Sequence, residues 1–275
     1  MDHAEFSYAN PDHPLLKRVV IRAIEGLSGR RQLLKTYALW RESFVGTSPT
    51  IWGDLLGLIN LNVALEADAW PPRDLPQGPL VIIANHPYGI GDGLAILSLA
   101  EQLGRPFKIL INNELLKVPE VRPFSLPVDF EETKDALKTN MQTRRQALEL
   151  LAAGGTVVVF PGGGVATARK PFGRAEELPW KTFTAKMIRS SRATVLPIYF
   201  HGQNSWLFHL VSGFSLTLRL SLLVREFRRL LGSAITTRAG VPIPYETLAG
   251  FRDQKEVMDY LQGQVMRLAG SDPLA

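Results

Sequence analysis

The chain has 275 residues, an ordinary globular composition and a formal net charge of +5, enough to bury one large core or two small ones. It has no cysteine, which excludes disulfides, thiolate metal sites and a cysteine nucleophile. Met1-Asp-His-Ala-Glu5 lacks the basic and apolar regions of a signal peptide, and no run reaches the roughly 18 apolar residues of a spanning helix, so neither export nor a membrane span is expected. Residues 1–10 read as a loose tail. After Asp12 and Pro14, the residues Leu15, Leu16, Val19, Val20, Ala23, Ile24 and Leu27 recur at helical spacing, with Lys17, Arg18 and Arg22 elsewhere on the wheel. A second helix is predicted over 30–44 and a third over 50–63. Pro71-Pro72 and Leu75-Pro-Gln-Gly-Pro79 break the chain, so residues 1–70 form an N-terminal helical region and 71–275 an α/β domain. Basic amphipathic helices suit an anionic membrane surface, and they equally suit a domain with its basic face in water.

Leu80–Ala84 reads as a buried strand that ends abruptly in Asn85-His86; a Gly- and Pro-rich turn and Asp92 then open a helix over 91–103. Further strands are predicted over 107–111, 124–128, 156–160, 193–200 and 235–238. Helices are predicted over 131–153, 180–190, 216–231 and 245–268. Between them lies an aromatic, apolar cluster of Trp206, Leu207, Phe208, Leu210, Val211 and Phe214, and Arg219 argues against reading its continuation as a membrane span. The alternation implies an α/β fold, a mostly parallel sheet flanked by helices, with an N-terminal helical region.

Chemistry concentrates at two strand ends, where open α/β sheets bind ligands. His86 could act as a general base, with Asp92 fixing its tautomer and stabilising the imidazolium. The alternatives are a loop histidine bonded to backbone and a helix N-cap for Asp92. Phe160-Pro161-Gly162-Gly163-Gly164 offers backbone amides for an anion or an oxyanion, or is a flexible turn. It is not a P-loop, because no Gly-Lys-Ser/Thr follows, and there is no Gly-x-Ser-x-Gly elbow of a serine hydrolase. No metal ligand set is visible.

Asn85-His86 with the downstream Asp92 resembles the first motif of the glycerolipid and lysophospholipid acyltransferases. That family usually places four residues between His and Asp; this chain has five, as in the bacterial hemolysin-like subgroup. Val118–Pro123, Leu126–Phe130, Phe160–Ala166 and Pro197–Ser205 are similar to that subgroup in the same order. The resemblance implies an acyltransferase of phospholipid or ornithine-lipid biosynthesis that moves a fatty acyl group from a thioester to a lysolipid. Acyl carrier protein or coenzyme A would carry the acyl group, with no further cofactor.

Three departures bear on the acceptor. Asn112-Asn113 stand where the family carries a basic residue, Phe130 where its second motif ends in Arg, and Val165 where its third motif carries Arg. Gly162 takes the place of that motif's Glu. The candidate substrate-binding set is therefore Asn85, Asn112, Arg122, Phe160, Pro161, Gly162, Gly163, Gly164 and Arg169, with Arg122 and Arg169 replacing the missing cations. Arginine is the usual clamp for phosphate, so lysophosphatidate is expected to be a poorer acceptor than a lysolipid with a zwitterionic or amino-acid head. Peripheral attachment to the cytoplasmic face of the membrane is expected, and no nucleic-acid partner. A thioester or lipid hydrolase using the same His–Asp pair, and a non-catalytic lipid-binding protein at the membrane surface, are the alternatives.

Overall fold

The computed structural model describes residues 30–129, 133–214 and 216–270. The helix expected over 15–27 and Phe130 lie outside the described residues. In chain order the elements are α1 (Arg30–Ser43), α2 (Ile51–Leu58), β1 (Asn62–Glu66), β2 (Leu80–Ala84), α3 (Ile90–Glu101) and β3 (Phe107–Asn112). Two 3₁₀ turns, Asn113–Lys117 and Pro119–Phe124, lead into β4 (Ser125–Val128). Then come α4 (Lys134–Ala152), β5 (Thr156–Val159), α5 (Phe183–Ser191), β6 (Thr194–Phe200), α6 (Trp206–Ser212), α7 (Leu216–Leu230), β7 (Ala234–Ala239), α8 (Tyr245–Ala249) and α9 (Gln254–Arg267).

The seven strands form one sheet in the order β1-β7-β6-β2-β5-β3-β4. All neighbours are parallel except β6 and β7. The fold is thus the mostly parallel α/β sheet flanked by helices that the alternation implied. Strand β2 lies at its centre because both of its faces are apolar. Leu80, Ile82 and Ala84 enter one core with α2 and α3, while Val81 and Ile83 enter the other with α4, α5 and α9. All five are fully buried.

The chain builds β3, β4 and β5 on one side of β2, then crosses to lay β6 and β7 on the other. That reversal lies at the carboxyl end of β2, between the loops leaving β5 and β6, the position at which open α/β sheets bind ligands.

Two helix predictions need correction. The helix expected over 50–63 stops at Leu58; Asn60 has φ 49°, and residues 62–66 become β1, paired with β7. An asparagine in the left-handed region is a common helix terminator, and it cuts an apolar run that otherwise continues the helical pattern. The helix expected over 245–268 is two helices. Asp253 ends the break between them by accepting from the amides of Lys255 and Glu256, an N-cap visible in the Asp253…Glu256 spacing. The boundary placed at residue 71 falls in the connection between β1 and β2.

Helix α1 is anchored to α2 and to the second 3₁₀ turn. Trp40 is buried, donates its indole N–H to Ile51 O at 2.7 Å and packs on Trp52 at 5.6 Å. Tyr37 and Arg41 both reach the buried Glu120. Among the described residues no helix is long and apolar enough to cross a membrane.

Candidate active site

His86 stands two residues beyond β2, at that switch point. The turn Pro87–Gly89 folds back so that Asp92, in the first turn of α3, meets it. Gly89 makes that reversal at φ 84°, in a space where a Cβ would press on Val165 and Leu223 at 3.0 Å. His86 Nδ1 lies 3.1 Å from Asp92 Oδ1, and Asp92 is fully buried. Its other oxygen accepts from Tyr88 N at 2.8 Å, so the carboxylate also fixes the loop at the positive end of α3. Gly89, not Asp92, is the N-cap of α3; Asp92 stands in the first turn, with one oxygen toward His86 and the other securing the turn at Tyr88 N. With Nδ1 turned to Asp92, Nε2 is the ring nitrogen left for chemistry.

Three neighbours hold the imidazole in place. Phe160, at the end of β5, stacks on it with centroids 4.0 Å apart. His86 O accepts from Ala166 N at 2.8 Å, and His86 N donates to Glu177 Oε1 at 2.7 Å. Tyr88 crosses over Gly202 beyond β6 and donates to His201 O at 2.9 Å; a Cβ on Gly202 would lie 1.9 Å from the phenol oxygen.

Burial of the ring works against the imidazolium, but Asp92, by charge and hydrogen bond, and Glu177 overcome it, so the His86 pKa is raised above 6.5. Arg219 acts in the opposite direction. Glu177 is itself raised by burial, against the stabilising effects of His86 and Trp180.

The other predicted residues are not all gathered here. Asn85 is buried, and its amide is committed to the backbone of Phe200, donating to O at 2.8 Å and accepting from N at 2.7 Å. It extends the β2–β6 ladder past the last strand residue and turns no polar atom outward. Asn112 ends β3, two strands away from β2. Arg122 lies on the exposed 3₁₀ turn beside β4, bonded to Leu116 O at 2.7 Å. Arg169 is 86 % exposed and paired with Glu176 at 3.2 Å. Neither arginine supplies a cation beside His86.

In the glycine loop, Gly163 N is spent on Phe160 O at 2.9 Å, which removes it as the oxyanion donor; Pro161 O accepts from Lys181 N at 3.0 Å. Gly164 N and Val165 N have no acceptor among the described residues. A Cβ on Gly162 would stand 3.3 Å from Glu177 Oε2.

Two residues of the site carried no motif. Glu177 sits in an irregular segment and is brought beside His86 only by the tertiary fold. Arg219, on α7, donates to Val165 O and lies over the Phe208 ring at 5.5 Å. Its sequence signal was a lone arginine inside an apolar run.

A buried His–carboxylate pair at the switch point of a parallel sheet, beside a loop with free amides, is the equipment of an enzyme that deprotonates a nucleophile. Residues 70–201 match a family model described as Acyltransferase. Over those residues the chain is similar to that family, and it is an acyltransferase. A lyso-glycine lipid O-acyltransferase of Phocaeicola vulgatus is 25% identical over 208 residues, covering 71% of each chain. One of Bacteroides thetaiotaomicron is 27% identical over 212 residues, covering 71% of this chain and 72% of that one. The 1-acyl-sn-glycerophosphate acyltransferase PlsC of Thermotoga maritima shares the fold, with a TM-score of 0.51, 17% identity and coverage of 92% and 91% of the two chains.

Proposed function

We propose that this acyltransferase moves a fatty acyl group from a thioester of coenzyme A or acyl carrier protein to the hydroxyl of a lysolipid with an amino-acid head. The observation that carries it is the His86 Nδ1–Asp92 Oδ1 contact of 3.1 Å, which leaves Nε2 as the base. His86 Nε2 takes the hydroxyl proton as the acceptor oxygen attacks the thioester carbonyl. The C–S bond breaks, and the departing thiolate receives the proton from the imidazolium. Asp92 stabilises that imidazolium. The amides of Gly164 and Val165 are the oxyanion donors; one good donor contributes about 10²–10³-fold.

The names of the two lyso-glycine lipid relatives support an amino-acid head. So does the lack of a cation at Asn112 and Val165. Basic charge and exposed aromatics support work at the cytoplasmic face of a membrane.

The test is mass spectrometry of lipids formed from labelled acyl thioester and a panel of lysolipids. The expected result is a new diacyl lipid, with His86→Ala lowering turnover about 10²- to 10⁴-fold. Release of labelled fatty acid at the same rate with and without acceptor would make the enzyme a hydrolase instead.

A further inference from the structure

The structure assigns to Arg219 a site for the carboxylate head of the acceptor, an inference that rests on acyl transfer to a lysolipid and adds the charge the site selects. Arg219 reaches from α7 to the backbone of the glycine loop, donating to Val165 O. Val165 directly precedes Ala166, whose amide bonds His86 O, so the guanidinium sits against the same short segment that supports the base. Its charge is felt at both His86 and His209.

Its surroundings leave that charge uncompensated. Phe208 covers one side at 5.5 Å, and burial lowers the Arg219 pKa. Arg219 makes no ion pair among the described residues. Its neighbours on α7 are engaged: Arg225 and Arg229 both meet the buried Glu226, at 2.8 and 3.2 Å. Of the carboxylates near His86, Asp92 is held by His86 and Tyr88, and Glu177 by the His86 amide.

A half-buried guanidinium without a counter-ion bears a desolvation cost that an arriving anion offsets. A planar carboxylate matches its fork and its single charge. A phosphomonoester carries about −1.5 to −2 and asks for a second cation that Arg122 and Arg169, where they stand, do not supply. The favoured acceptor therefore carries a free hydroxyl for His86 and a carboxylate for Arg219.

The probes are N-(β-hydroxydecanoyl)glycine, its methyl ester and lysophosphatidate of equal chain length, with binding measured by calorimetry on the full chain. Wild type should bind the acid about 10- to 100-fold more tightly than the ester, the range of a charge-assisted hydrogen bond. Arg219→Gln should erase that preference and Arg219→Lys should retain part of it. In turnover the acid should lose mainly through a raised KM. Equal affinity of wild type for acid and ester, a comparison that needs no variant, overturns the assignment. So does a preference that survives in Arg219→Gln, or tighter Arg219-dependent binding of lysophosphatidate than of the acid. Failure of wild type to acylate any lysolipid would defeat the proposed reaction instead, and the acid-versus-ester binding would still decide the role of Arg219.

Discussion

At the residue scale the site turns on the proton affinity of one imidazole. A base must be neutral to work, and Asp92 and Glu177 hold His86 above 6.5 against its burial. The kcat/KM profile should therefore rise with pH through an apparent pKa above the ordinary histidine value. Asp92→Asn removes the charge and leaves one acceptor oxygen where His86 Nδ1 and Tyr88 N now meet two, so the acid limb should move to lower pH while turnover falls. Glu177→Gln keeps an acceptor for the His86 amide and loses only the charge, so it should move the limb in the same direction by less. An unmoved acid limb in both variants would detach the profile from His86. The His86–Asp92 pair was legible because both residues lie in one short loop after an apolar strand. Glu177 and Arg219 were not, since their relation to His86 is made by packing between distant segments; Glu177 lies 91 positions away. Arg122 and Arg169 were misread for the converse reason. A basic residue beside a motif in sequence need not face the site, and these two face water.

Between residue and sheet stands Asn85. In the sequence it belongs to the motif and reads as a substrate contact; in the structure its amide mimics one more ladder step between β2 and β6. Asn85→Ala leaves a buried backbone N–H and C=O of Phe200 unpaired, and each such group costs about 1–3 kcal/mol. Urea denaturation should show a loss of that order, with KM little changed in the folded fraction. A raised KM at undiminished stability would return Asn85 to the substrate. The strands of the central sheet were legible for a related reason: β2, β5 and β6 are buried on both faces and read as continuous apolar runs. Strand β1 was lost because only its middle residues are half-buried and no turn signal stronger than Asn60 precedes it. The strand order is set by packing of helices on both faces, which no local pattern encodes.

At the scale of the whole molecule the question is how a basic enzyme meets lipid. Of the aromatic, apolar cluster that begins at Trp206, Phe208 is fully buried under Arg219 and belongs to the core. Trp206 is instead 49 % exposed and stacks at 5.4 Å on Phe172, itself 84 % exposed, with Arg169, Lys170 and Arg174 beside it in sequence. Aromatic rings flanked by cations suit the headgroup level of an anionic leaflet, where each near-surface cation contributes about 1 kcal/mol. Truncation through residue 45 would be a poor test of the N-terminal basic helices, because it strips Tyr37 and the buried Trp40 from the core. Truncation through residue 29 leaves α1 in place, and Phe172→Ala with Trp206→Ala touches only surface. Flotation with anionic vesicles should fall with added salt for the wild type, and each change should weaken it without lowering the thermal midpoint. Equal flotation on neutral and anionic vesicles would remove the electrostatic part of the argument. Undiminished flotation after the two aromatic substitutions would leave the N-terminal segment as the membrane contact.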